Sequence, residues 1–468
     1  MIVKDRAFYK NFILLWLPVV LQNVISLGVN LADNMMLGRY GEASLSGVTA
    51  INQIQFFYQC MLVGIGDGCV IFGAQFWGGR DIRSIRKVAS ISMRCALVIM
   101  AVLFTAVSFF PAQITGIFTN DAEIISEGAA YLGIVRFTYP FFCVTMILLA
   151  MLRSVENVKI AFYLSVSTLL INCCINYALI FGNFGFPRMG VRGAAIGTLA
   201  ARMAEFVILL LYLAYKEKIL RIKLRDFLFF EREMFRKYLK VTAPTFIAAS
   251  MWGVNTGAQT AILGNLSRSA LAANSMASNL FMIVKTMAVS SATATNVIIG
   301  RTIGAQEFRN LKTYVRTFQI MFIVIGLAGS VILYSLIEPV LSLYSFSDQS
   351  RAFARSFLYI LCVIIIGMSY EMPTSAGIIK GGGETRFILK VDMISIWGIV
   401  MPLSFIMAFA VHAPPAAVVW CLNLDQLFKC IPSSLKCNRG RWIHRLTDLS
   451  GREEAMSLAE AEKLEPDQ

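Results

Sequence analysis

The sequence predicts an all-α integral membrane protein with twelve transmembrane helices in two parallel six-helix repeats. Three observations carry that prediction. Charged residues make up only 15% of the chain and hydrophobic residues 57%, whereas soluble domains carry about 25% charged residues. The apolar residues fall in long runs, such as Phe12 to Leu37 and Val88 to Phe110, and a hydrocarbon core of ~30 Å takes about 20 helical residues to cross. Four short patterns in the first half also recur, in order, in the second half.

The runs place spans near 12–38, 46–76, 88–111, 128–152, 160–182 and 190–215, then near 238–264, 270–298, 314–337, 354–380, 387–412 and 414–435. These are continuous apolar runs and not the alternating ten-residue segments of a β-barrel. The expected organisation is an N-terminal six-helix lobe (1–215), a basic interlobe loop (216–237), a C-terminal six-helix lobe (238–435) and a polar tail (436–468).

The net charge of +14 does not indicate nucleic acid, because the positive residues alternate from loop to loop and are not pooled on one domain. The N-terminus, the loops after spans 2, 4, 6, 8 and 10, and the tail together hold 31 of the 42 Lys and Arg residues. The other loops hold six and the spans or their ends five. Positive residues concentrate on the cytoplasmic side, so both termini are expected there, in a multi-pass protein of the cell membrane. The loop from Lys216 to Lys240 is the most basic. It reads equally as a segment lying on anionic lipid and as a solvated linker. Most Cys lie within apolar runs with no metal-binding spacing, as expected of reduced thiols. The first apolar run lacks a small-residue cleavage site and is followed by many more, so it does not read as a cleavable signal peptide.

The repeat is visible at four places. Leu17-Pro18 answers Ala243-Pro244, and the stretch from Gly38 to Leu45 answers that from Gly264 to Leu271, both at an offset of 226 residues. Gly73 to Gly79 answers Gly300 to Gln306, and Arg153-Ser154-Val155-Glu156 answers Gly381-Gly382-Gly383-Glu384, with shifts of one or two residues. Six spans is an even number, so both halves enter the membrane with the same orientation. That predicts an axis along the membrane normal and a cavity between the halves.

Charged residues within spans are candidates for function, because each costs at least ~2.5–3.5 kcal/mol at mid-bilayer on insertion scales. Asp33 leads them, with Asn30 one turn earlier on the same face. Asn172 and Asn176 share a face of span 5 at i, i+4; they read as cation ligands or as interhelical hydrogen-bonding groups. In the second half, Glu371 and Lys285 are lone opposite charges, and a pair between them is expected. Asp67 sits in Gly64-Ile65-Gly66-Asp67-Gly68, either as a cavity charge or where glycines admit water. Arg202 and Glu205 are expected to pair at i, i+3. Asp392 and Asp425 read as groups that anchor helices or loops. There is no P-loop, metal-ligand cluster or Ser/His/Asp constellation, and His412 and His444 are isolated. The chain does not read as an enzyme, and no cofactor is expected.

Together Asp33-Asn34-Met35-Met36-Leu37-Gly38, Ala74-Gln75-Phe76-Trp77-Gly78, Gly190 to Thr198, Gly300 to Gly304 and Gly381-Gly382-Gly383-Glu384-Thr385 resemble the multidrug and toxic compound extrusion (MATE) family. The resemblance runs from about residue 10 to residue 447. It implies two six-helix lobes and export of cationic, amphipathic drugs or toxins in exchange for H⁺ or Na⁺. It also implies a proton or cation site at Asp33, with Asn172, Asn176 and the hydroxyl of Thr198. Asn176 stands where family members with this site carry an Asp. Neutral amides can coordinate Na⁺ but cannot take up a proton, so Asp33 would be the titrating group. The partners expected are a small cationic substrate and membrane lipid, and a monomer is expected to suffice. A lipid-linked glycan flippase of the same superfamily is the alternative. It would need clustered basic residues for an anionic substrate, whereas those here are scattered among five spans.

Overall fold

The computed structural model describes residues 2–117, 121–222, 224–228, 231–264, 266, 268–342, 347–447 and 455–462. Each predicted span is helical. The first six lie on α1 (Arg6–Tyr40), α2 (Glu42–Gly78), α3 (Ile82–Phe109), the short α4 (Pro111–Gly116) with the broken pair α5 (Ala122–Val135) and α6 (Thr138–Ser154), then α7 (Lys159–Phe181) and α8 (Val191–Tyr215). The second half contributes α9 (Arg232–Gly264), α10 (Arg268–Gly304), α11 (Phe308–Ser342) and α12 (Asp348–Met372). It continues through α13 (Thr385–Asp392), α14 (Met401–Phe405), α15 (Pro415–Asn423), α16 (Asp425–Phe428), α17 (Cys430–Arg439) and α18 (Leu458–Glu462). Among the described residues, nine helical segments are long and apolar enough to cross a membrane, and α5 with α6 makes a tenth, bent by 56°. In a bilayer core nothing but the segment itself can satisfy its backbone N–H and C=O groups, which is why lipid-exposed spans are helical.

The breaks follow the sequence. Pro140 has no N–H and its ring crowds the carbonyl of residue i−4, here Arg136; the bend between α5 and α6 falls there. Wide turns with i→i+5 hydrogen bonds occupy Pro373–Ile379, directly after α12, and Met393–Val400, directly after α13.

The described chain divides into two compact units: one of Met1–Val20, Ala74–Asp81 and Met251–Gln468, the other of Leu21–Gly73 and Ile82–Ser250. These units are not the sequence halves 1–215 and 238–435, because α1, α2 and α9 each contribute to both units.

In the unit built around residues 82–250, small residues set the helix packing. A Cβ at Gly64 would lie 2.6 Å from the Cα of Phe246, and one at Gly68 would lie 2.0 Å from Oγ1 of Thr242. The glycines around Asp67 therefore bring α2 against α9, the use of small residues expected between membrane helices. Among the described residues of the loop 216–240, Leu220, Asp226, Phe227 and Glu231 are tied to α3. Glu217 accepts hydrogen bonds from the backbone N–H groups of Ile219, Leu220 and Arg221. Arg86 donates to the Leu220 carbonyl at 2.6 Å, Lys87 pairs with Glu231 at 2.6 Å, and Ser90 and Arg94 donate to the carbonyl of Phe227.

In the other unit, two of the repeated motifs face each other. A Cβ at Gly78 would lie 2.0 Å from the Arg301 carbonyl oxygen, and one at Gly304 would lie 1.8 Å from that of Gln75. Residues 437–446 fold over this crossing. Gln75 is fully buried; its amide donates to the carbonyls of His444 (3.1 Å) and Gly381 (3.4 Å) and accepts from the N–H of Leu446 (3.0 Å). Trp442 is fully buried against Gly382, and its indole donates to the Cys437 carbonyl. Glu384 meets His444 at 3.3 Å and Lys436 at 3.5 Å. The polar composition of the segment after residue 435 conceals this docking.

Burial alone would raise the pKa of Glu384, but its hydrogen bond to His444 and the charge of Lys436 hold it below the ordinary glutamate value. Its contribution is therefore complete above ~4.3, the unperturbed glutamate pKa, and is lost as pH falls through the lower folded value. Thermal unfolding of the purified protein should show this acid-side loss, and Glu384→Gln should remove it. Trp442→Ala should cost about 3–5 kcal/mol, as for other fully buried aromatics, read as a lower unfolding midpoint at neutral pH.

Candidate functional site

The unit that contains residues 82–250 brings four of the predicted residues onto neighbouring helices. Asp33 is half-buried near the end of α1, while Asn172 and Asn176 are buried on one face of α7. The Asn176 amide nitrogen donates to Oδ1 of Asp33 at 2.6 Å and to Oδ1 of Asn172 at 3.2 Å. Both of its protons are thus used, one on a carboxylate, which makes that bond charge-assisted and short. The Asn176 carbonyl oxygen is buried without a partner and is turned toward Gly197 of α8, where a Cβ would lie 2.0 Å from it. The Asn34 carbonyl oxygen is a second buried, unpartnered acceptor one residue beyond Asp33.

Thr198 lies beside this group, but its hydroxyl donates to the Ala194 carbonyl of its own helix at 3.0 Å. The buried Tyr131 of α5 interacts with Thr198 and lies within electrostatic range of Asp33 and Arg202. Asn30 is exposed and stands outside the hydrogen-bond chain. The expected pair of Arg202 with Glu205 forms at 2.7 Å, with the guanidinium 4.6 Å from the centre of the Phe142 ring. Asp67 interacts electrostatically with Arg153, and its flanking glycines pack closely on neighbouring helices.

The second set of predicted residues sits differently. The expected Glu371–Lys285 ion pair does not form. The Lys285 ammonium lies 5.0 Å from the centre of the Trp252 ring, a cation–π geometry. Glu371 is buried at the end of α12 and accepts from the Ser433 hydroxyl at 3.3 Å. Lys429 acts on it electrostatically. That ammonium is buried and lies 3.1 Å from Asp392 and 3.0 Å from Asp425. Glu371, Asp392 and Asp425 all interact with Lys429 electrostatically, and Lys285 interacts with both Asp425 and Lys429. Gln426 donates to Asp425 at 2.6 Å. Asp392 and Asp425 thus both pair with Lys429, which joins their two segments.

Each member of this network sits at an interruption of its helix. Glu371 lies two residues before one wide turn and Asp392 immediately before another, Asp425 opens α16, and Lys429 lies at the break between α16 and α17. Such turns recur at functional sites. The Asp425–Lys429 spacing of i, i+4 was a legible signal for an ion pair. Their meeting with residues from α12 and α13 is tertiary and left no trace in spacing.

The comparisons with known proteins agree on a family. The MatE family model matches residues 18–178 and 245–406. The chain is 24% identical over 409 residues to the probable multidrug resistance protein YoeA of Bacillus subtilis strain 168, covering 86% of this chain and 87% of that protein. It is 26% identical over 400 residues to the probable multidrug resistance protein NorM of Thermotoga maritima, covering 85% of each chain. Among solved structures, a MATE transporter in complex with MaL6 aligns with a TM-score of 0.82 at 19% identity, covering 91% of this chain and 94% of that one. An outward-facing multidrug resistance MATE transporter aligns at 0.81 and 20% identity with the same coverage.

The contact between Gly197 and Asn176 gives a direct test of the first site. Gly197→Ala should push the amide off Asp33, cost about 1–3 kcal/mol of stability and impair function. Gly133→Ala, where a Cβ meets nothing within 4 Å, should leave function unchanged and stability equal or higher by up to ~1 kcal/mol. Paired unfolding and transport measurements on the two variants check this.

Proposed function

Because the chain belongs to the MatE family, a family of membrane transporters and not of enzymes, we propose that it is a secondary active antiporter. It exports cationic, amphipathic compounds in exchange for H⁺ or Na⁺. It lies in the cell membrane with both termini in the cytoplasm and works as a monomer. The lobes 1–215 and 238–435 are the bodies that alternate, and lipid and a small cationic molecule are its partners.

The observation that carries the reading is the hydrogen-bonded group at Asp33. It is a carboxylate met by a neutral amide at 2.6 Å, and the nearby Arg202 is engaged by Glu205 at 2.7 Å. Asp33 is the exchanging group in this proposal. Asn172 and Asn176 hold it, and two buried carbonyl oxygens, of Asn34 and Asn176, remain without partners. Either a proton on the carboxylate or Na⁺ beside it would neutralise the charge. Thr198 and Asn30 flank the group, and Asp67 adds negative charge on α2. Coupling follows when ion and substrate favour opposite conformations, since a ligand that binds two states equally shifts neither.

The basic residues within spans argue against an anionic substrate. Arg94 is bonded to the Phe227 carbonyl, Arg136 lies 5.0 Å from the Phe137 ring, Arg202 pairs with Glu205, Lys285 rests on Trp252 and Lys429 lies among carboxylates. Each is engaged locally, which supports the cation reading over lipid-linked glycan flipping.

The test is transport of a fluorescent organic cation into vesicles that contain the purified protein, with H⁺ and Na⁺ gradients imposed separately. One gradient should drive movement, and Asp33→Asn should lower that rate at least about tenfold, the factor equivalent to ~1.4 kcal/mol. Unchanged coupling in the variant would remove Asp33 from the role. No movement under either gradient would overturn the antiporter reading for that substrate.

A further inference from the structure

We infer that the Lys429 ammonium is a tethered cation that fills the carboxylate network of Glu371, Asp392 and Asp425, so that this network takes no alkali ion while Lys429 is present. The inference goes beyond the antiport reading and does not depend on Asp33 being the exchanging group.

The geometry is that of a cation in an oxygen cage. The ammonium of Lys429 lies 3.0 Å from Oδ2 of Asp425 and 3.1 Å from Oδ1 of Asp392, and the buried Glu371 carboxylate interacts with it electrostatically. The oxygens are held from outside the cage. Ser433 donates to Glu371 at 3.3 Å and Gln426 donates to Asp425 at 2.6 Å. Lys429 is only 4% exposed, so the charge has no route to solvent by snorkelling. A buried charge without a counter-ion is strongly unfavourable, and here the counter-ion is covalently part of the chain. Its effective concentration in the cage exceeds any free ion's, on the reasoning that applies to any linked ligand.

The other charge facing the network reinforces the point. Lys285, on α10, interacts with Asp425 and Lys429 while its ammonium lies over the Trp252 ring. Two ammonium groups therefore face three carboxylates. An arriving Na⁺ would meet repulsion from both and would have to displace one. The Asp33 group contrasts with this: its hydrogen-bond donor is a neutral amide, and the arginine near it is held by Glu205 at 2.7 Å. The two sites differ in their donors: an ammonium supplies positive charge to one, and a neutral amide meets the other.

The test reads ion binding and not transport, so it stays separate from the antiport proposal. Asp33→Asn silences the first site. The unfolding midpoint of the purified full chain is then measured in NaCl against choline chloride at equal ionic strength. A ligand that binds only the folded state raises the midpoint as its concentration grows. With Lys429 in place the Asp33→Asn protein should show no Na⁺-specific shift. Adding Lys429→Gln should create a shift that climbs with the logarithm of Na⁺ concentration, and adding Glu371→Gln as well should reduce it. Two results overturn the inference. One is a Na⁺-specific shift in Asp33→Asn alone that Glu371→Gln abolishes. The other is a monodisperse Lys429→Gln double variant that remains indifferent to Na⁺. If Lys429→Gln does not yield folded protein, comparing Asp33→Asn with and without Glu371→Gln still decides, since both keep the lysine.

Discussion

A carboxylate carried into a hydrocarbon layer must be met by a donor or a counter-ion, and much of the polar architecture of this chain answers that requirement. Leaving such a group unsatisfied costs several kcal/mol even after local relaxation. At Asp33 the answer is an amide on a neighbouring helix, itself fixed by a second amide one turn away. At Asp392 and Asp425 the answer is an ammonium. The two solutions differ in what they leave open. An amide donates to Asp33 without neutralising it. A lysine neutralises as well as donates, and a site built on it is electrostatically closed.

Small residues determine where helices can come close enough for these meetings. Membrane helices gain little from burying apolar surface against one another, since lipid is equally apolar, and close contact between backbones takes over that role. Gly197 is the instance that matters most for chemistry, because any side chain there would occupy the position of the Asn176 carbonyl oxygen. Gly78 and Gly304 do the same for two equivalent segments of the internal repeat. A repeated sequence pattern thus reports a repeated packing need, with each copy serving as the surface on which the other rests.

Much of this was legible in the sequence. The twelve spans appeared as runs of apolar residues because the thickness of the bilayer fixes their length. Asp33, Asn172 and Asn176 stood out because polar residues in such runs are rare, and the i, i+4 spacing of the two amides placed them on one face. The charge network was harder to read. Glu371 and Lys285 are the isolated charges of their spans and invite pairing, yet Glu371 accepts from Ser433 and Lys285 lies over an aromatic ring. Which opposite charges meet depends on helix rotation, and the wide turns after Glu371 and Asp392 change that rotation locally. Periodicity assumes a regular helix and is least informative at such turns. The segment after residue 435 misled for a different reason. Its composition is polar, but one tryptophan and a few backbone groups are enough to dock it.

That docking bears on how the protein is made. Chains emerge from the ribosome at about 5–20 residues per second, and Gln75 precedes its partner Leu446 by 371 positions. The amide in the second helix enters the membrane long before the groups that will satisfy it exist. Both repeats can be inserted, and their glycine-lined segments can cross, while that end of the bundle is still incomplete. The later-made groups of His444 and Leu446 then satisfy it, so this closure follows insertion of the second helix and is not a part of it.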